Sequence, residues 1–230
     1  MTIYLLNDSI AFPDPRRTED PSGILAVGGD LSPSRLLLAY SLGIFPWYDD
    51  AYSPILWHCP DDRFVIRPEH YRLGRTLRKS VKNFEGHYTY NRSFSEVLDL
   101  CASVPRHDQL GTWLNEDMKT AYLELHKLGY AQSAEVWRDG RLIGGLYGVT
   151  LGAVFFGESM FSLEPSASKA LFAQLVPQLW DAGYQLIDCQ IYTDHLARFG
   201  GLEIERDTFL SELEVALSAK PKRKWPSQST

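Results

Sequence analysis

Residues 133–161, "SAEVWRDGRLIGGLYGVTLGAVFFGESMF", decide how the rest of the chain is read. Asp139-Gly140 is a tight-turn signal between two apolar runs, and Gly152 sits between the second run and a third. Three such runs in a row predict an antiparallel meander. On its C-terminal side "SASKALFAQLVPQLWDAGY" places Leu171, Phe172, Leu175, Val176 and Leu179 on one helical face, and a further strand is expected around "LIDCQI". Pro177 conflicts with a regular helix interior, where it costs about 3 kcal/mol, so a kink or a new turn is expected there. On the N-terminal side "NEDMKTAYLELHKLGY" reads as a helix capped by Asn115 and ended by Gly129, with Met118, Ala121, Tyr122, Leu125 and Leu128 inward. Helix, antiparallel strands, helix, strand is an α+β order.

The first 65 residues have another texture. "GGDLSPSRLLLAYSLG" gives one short helix with Ser32 as N-cap, Pro33 at its first position and Gly43 as its stop. The stretch that follows, "IFPWYDDAYSPILWHCPDDR", is dense in Trp, Tyr and Pro without clear periodicity and suggests an irregular but packed small lobe. Two domains are therefore expected, 1–65 and 66–230.

Composition narrows the class. A chain of 230 residues, 44% hydrophobic, can bury a sizeable core. No apolar run approaches 18 residues and the N-terminus has no basic segment ahead of an apolar one, so a cytoplasmic protein is expected. Cys59, Cys101 and Cys189 are odd in number and widely spaced, which argues against a disulfide framework or a zinc site. The net charge of -6 speaks against a nucleic-acid partner, yet Arg72, Arg75, Arg78, Lys79 and Lys82 cluster within "RLGRTLRKSVK". A second basic run, Lys220, Lys222, Arg223 and Lys224, lies in a tail expected to be mobile.

Three features carry chemistry. Asp188 and Gln190, two apart on a strand, project from one face, where the carboxylate would accept from the glutamine amide and orient its carbonyl oxygen; a plain polar strand face is the competing reading. Glu158, among Phe155, Phe156, Met160 and Phe161, has to be paired, as with Lys169 or an arginine, exposed at the strand end, or set to meet a cation. Trp47, Trp57 and Trp113 sit near turns, where they would stack a base or pack an interface. No metal-binding spacing, G-x-S-x-G elbow or phosphate loop is present.

Together, "AVGGDLSPSRLLLAYSLGIFPW", "ILWHCPDDR", "GTWL", "HKLGYAQSAEVW", "LIGGLYGV", "FFGESMFS", "ASK" and "LIDCQ", in this order, resemble the leucyl/phenylalanyl-tRNA–protein transferases over residues 12–212. The resemblance implies a small N-terminal domain and a C-terminal domain like the GNAT acyltransferases. It implies transfer of Leu or Phe, less readily Met, from charged tRNA to proteins with N-terminal Arg or Lys, marking them for degradation by the N-degron route. By position it makes Asp188 and Gln190 the catalytic pair and Glu158 a residue of the acceptor-peptide site. It also implies an aminoacyl pocket of Leu146, Phe155, Met160 and Ile187, adenosine contacts from Tyr40, Trp47 and Trp113, and tRNA contacts from Arg72, Arg75, Arg78, Lys79 and Lys82.

An aminoacyl ester is already activated, so no cofactor or metal is expected, and positioning supplies much of the catalysis. A monomer is the simplest expectation. A CoA-dependent acyltransferase would need a Gly-rich pyrophosphate turn that "SMFSLEPSASK" lacks. A non-catalytic RNA-binding protein would leave Asp188, Gln190 and Glu158 without a purpose.

Overall fold

The computed structural model describes residues 2–20, 22–48, 53–104 and 114–227. The N-terminal part contains β1 (Tyr4–Leu6), β2 (Ile24–Gly28), α1 (Pro33–Ser41), β3 (Phe45–Pro46) and β4 (Leu56–His58). Its strands form one sheet in the order β1-β2-β4-β3. This ordered sheet corrects the expectation of an irregular lobe. Its strands are only two to five residues long and pair across loops, too short to show an alternation. The α1 helix forms as its signals predict: the Ser32 side chain accepts from the Arg35 N–H, and Gly43 takes a left-handed φ of 72° just beyond the end.

A second, seven-stranded sheet begins with β5 (Asp62–Ile66). After it come α2 (Arg75–Lys82), β6 (His87–Tyr90), α3 (Phe94–Ser103), α4 (Glu116–Lys127), β7 (Ala131–Arg138), β8 (Arg141–Leu151) and β9 (Val154–Ser162). The chain continues through α5 (Ala167–Ala182), β10 (Leu186–Asp188), α6 (Asp194–Ala197), β11 (Leu202–Glu205) and α7 (Arg206–Ser218). The strand order is β11-β5-β10-β9-β8-β7-β6, with β10 parallel to β9 and the other pairs antiparallel. The expected meander is β7-β8-β9, turned at Asp139 and Gly140, which both adopt positive φ. The architecture is α+β. No helix among the described residues is long and apolar enough to cross a membrane.

Side-chain alternation splits the core between the two sheet faces. Tyr147, Val149 and Phe156 pack with α1, α3, α4 and α7, while Leu146, Phe155 and Ile187 pack with α5 and Leu77 of α2. The α4 helix has its expected cap, the Asn115 side chain accepting from Met118 N–H, but it ends at Lys127. Leu128, one step past the last helical residue, is therefore exposed instead of joining the inward stripe.

Pro177 neither ends nor interrupts α5. The proline cannot donate to the Ala173 carbonyl, and the Tyr71 hydroxyl donates to that oxygen instead, at 3.4 Å. The C-terminal tail is also not free. The Lys222 N–H donates to Ala182 O, the Tyr184 hydroxyl donates to Lys224 O, and Trp225 is buried. An aromatic anchor three residues past the first backbone bond overrides the Pro- and Lys-rich composition that suggested mobility.

Candidate functional site

The site follows from how two neighbouring parallel strands part. The β9 and β10 strands pair from Val154↔Leu186 to Phe156↔Asp188, where β10 ends. Gln190 then takes a φ of 64°, rare for a residue with a side chain, and the backbone leaves the sheet. On β9 the register with β8 slips at the same level: Tyr147 pairs with Ser159 but Gly148 with Gly157, leaving Glu158 as the extra residue of a β-bulge. Bulges re-aim side chains. A cavity of about 340 Å³ opens between the diverging segments, lined by both Glu158 and Gln190.

Glu158 is held from three sides. Tyr40 and Tyr122 hydroxyls donate to its two oxygens at 2.7 and 2.8 Å, and Gln190 Nε2 donates to Oε1 at 2.9 Å. The two hydroxyls also lie 2.7 Å from each other, closing a triangle of three O···O contacts. Two tyrosines supply two protons, so the third contact is a hydrogen bond only when Glu158 carries a proton. Electrostatics agree with this count: burial raises the Glu158 pKa to about 7 against the lowering effect of the two tyrosine bonds. A carboxyl that titrates near neutrality can exchange a proton with a bound ligand.

Asp188 is placed differently. It has no exposed surface, and Arg63 grips it through Nε at 2.8 Å and Nη2 at 2.6 Å. The Arg63 guanidinium is itself buried between the rings of Phe45 and Phe209. Asp188 Oδ1 accepts from the Gln190 backbone N–H at 2.9 Å. This corrects the expected side-chain pair: Asp188 fixes the Gln190 backbone, and Glu158 receives the amide. The reason is the left-handed turn, which takes Gln190 off the strand face that simple alternation assigns to it.

Leu146, Phe155, Met160 and Ile187 all line the cavity and make its wall apolar, and Trp47 contributes a partly exposed ring. Cys189 is there too, and burial pushes its thiol well above the usual range. Tyr40 does not present a face to a base. It is 1% exposed, and its hydroxyl is committed to Glu158 and Tyr122. Trp113 lies outside the described residues.

Arg75, Arg78, Lys79 and Lys82 lie on α2, and Arg72 just before it; all five are exposed, while Leu77 alone of that helix is buried. Sequence reasoning did not find Arg63 or Tyr122 as site residues. The available signals were an arginine in a strand otherwise buried, and a hydroxyl within the apolar stripe of α4.

Comparison with known proteins agrees over nearly the whole chain. Residues 65–214 match the family model described as leucyl/phenylalanyl-tRNA protein transferase, and residues 29–61 match that of its N-terminal domain. A leucyl/phenylalanyl-tRNA–protein transferase of Myxococcus xanthus is 51% identical over 98% of this chain and 97% of its own. One of Lawsonia intracellularis is 49% identical over 95% of each chain, and one of Syntrophotalea carbinolica 50% identical over 99% of this chain and 100% of its own. Likeness to solved structures is remote: a FemX crystal structure, 10% identical, aligns over 79% of this chain and 71% of that one with a TM-score of 0.49.

Proposed function

The chain belongs to the leucyl/phenylalanyl-tRNA–protein transferase family, a family of aminoacyltransferases, and from that premise we propose which groups it joins and how. It moves Leu or Phe, and less readily Met, from charged tRNA to the α-amine of proteins beginning with Arg or Lys, marking them for N-degron degradation. The observation that carries this reading is the bulge-borne Glu158, which titrates near neutrality at the wall of an apolar cavity.

The aminoacyl side chain enters among Leu146, Phe155, Met160 and Ile187, where burial favours Leu and Phe. An apolar pocket separates such neighbours by only about 1 to 3 kcal/mol per methylene, so Met passes as a minor substrate. Trp47 stacks on the terminal adenosine, worth about 1 to 3 kcal/mol per base. The exposed cations of Arg72, Arg75, Arg78, Lys79 and Lys82 meet the phosphates of the acceptor stem.

The acceptor amine, with an ordinary pKa of about 7.7 to 8.0, arrives mostly as ammonium. Ionised Glu158 takes one proton from it, and the Gln190 carbonyl accepts a hydrogen bond from the neutral amine that remains. The nitrogen then bonds to the ester carbonyl carbon and the bond to the ribose oxygen breaks. The second amine proton ends on that oxygen, leaving a free hydroxyl on the tRNA. Asp188 acts at one remove, as the positioning residue that holds the Gln190 turn against β5.

Radiolabelled leucyl-tRNA incubated with the protein and a peptide beginning with arginine tests the reading. Label should pass to that peptide and not to its N-acetylated copy. Acetylation from acetyl-CoA, or tRNA binding without transfer, overturns it.

A further inference from the structure

The tail beyond α7 reaches the aminoacyl cavity from behind. Its Lys222 N–H donates to Ala182 O at 2.7 Å, and the Lys224 ammonium lies 4.8 Å from the centre of the Tyr130 ring. These ties deliver Trp225 into the core, 8% exposed, with its Nε1–H donating to Ser133 O at 3.0 Å. The Trp225 ring lies 5.1 Å from that of Phe155, tilted by 45°. Phe155 is a wall of the cavity.

Phe155 has no room to move the other way along the sheet. A Cβ added to Gly148 would lie 2.6 Å from Phe155 Cε2 and 2.1 Å from Phe156 O, so the ring rests directly on the glycine backbone. With Gly148 beneath it and Trp225 behind it, the ring is clamped in a core that is close-packed and transmits strain. We propose that Trp225 sets the depth of the aminoacyl pocket by backing Phe155, which makes the C-terminal tail a determinant of the side chain transferred. Trp225 touches no substrate; it is a positioning residue, and the inference rests on the transferase reading above.

Shrinking Trp225 lets Phe155 retreat, deepens the pocket and favours the longer aromatic side chain. The test is kcat/KM for phenylalanyl-tRNA over that for leucyl-tRNA, with one acceptor peptide, in the wild type and in Trp225→Phe, Trp225→Leu and Trp225→Ala. The ratio should rise in that order, by roughly 3- to 10-fold at the end of the series, below the 10- to 200-fold that a methylene in direct substrate contact can give. Lys222→Ala, which keeps the backbone tie, should leave it unchanged. Both values falling together at a constant ratio in Trp225→Leu would mean that the tail only supports the fold, and the inference fails. An equal change in Lys222→Ala also overturns it, in favour of tail charge. A wild type that transfers neither amino acid instead overturns the transferase reading itself, and this inference with it.

Discussion

Asp188 and Glu158 stand on adjacent strands, yet the protein treats the two carboxylates in opposite ways. Asp188 closes a regular strand and meets a guanidinium, so its charge is neutralised and its oxygens are filled. Glu158 sits on a bulge and meets hydroxyls and an amide, which stabilise an anion less than a cation does, so burial pushes its pKa up to about 7. The two differ in their partners: one carboxylate is tied to a buried cation, the other to neutral donors. The first holds the Gln190 turn in place; the second is the group proposed above to take the amine proton.

The comparison breaks most visibly at Asp188. Asp188→Ala leaves Arg63 charged and buried without its partner and should cost about 3 to 5 kcal/mol of stability, read as a lower midpoint in urea or heat. A near-wild-type midpoint would mean that the pair holds nothing in place. Glu158→Gln should instead keep the fold and lower turnover by about 100- to 10,000-fold, the range for lost acid–base help. Turnover within a few-fold of wild type would remove Glu158 from the proton path.

The stability of Glu158→Gln relative to wild type should also depend on pH. The folded-state pKa of Glu158 is raised from 4.5 to about 7. Its contribution is therefore fully present below the unfolded value and is lost as pH rises through 7, because the folded state then holds a disfavoured anion. The variant's Tm should gain on wild type by a few degrees between pH 5 and 8. A difference that stays flat across that window would place the carboxyl back in the ordinary range.

Tyr122→Phe sharpens the contrast further. It removes a bond that lowers the Glu158 pKa, so the acidic limb of the kcat profile should move upward in pH by up to about one unit. The smallest effect belongs to the basic face. Lys79→Ala should weaken tRNA binding a few-fold and reduce the slope of log K against log salt by about 0.7 to 1, with turnover at saturating tRNA retained. An unchanged slope would take Lys79 off the phosphates.

What could be read along the chain was local in origin. The Ser32 and Asn115 caps, the Asp139-Gly140 hairpin, the inward stripe of α5 and the cation-bearing face of α2 all arise within a few residues, where backbone sterics and side-chain period act directly. Family motifs carried the site residues further, to Glu158 and Gln190 on one cavity, but by resemblance and not by geometry.

Everything that sets the chemistry came from contacts between distant segments. Tyr40 meets Glu158 across 118 residues, Arg63 meets Asp188 across 125, and Trp225 meets the Ser133 carbonyl across 92. No periodicity reports such pairs. The bulge at Glu158 adds one residue to a strand whose composition is that of a regular one, and the left-handed turn at Gln190 is held by a carboxylate that alternation places beside the glutamine side chain. The amino-acid sequence by itself determined which residues carry acid, amide and aromatic groups and which local elements bear them. Which carboxylate is paired with a cation, and that the pKa of Glu158 is raised, follow from neighbours and burial, and both exist only once the sheet has formed.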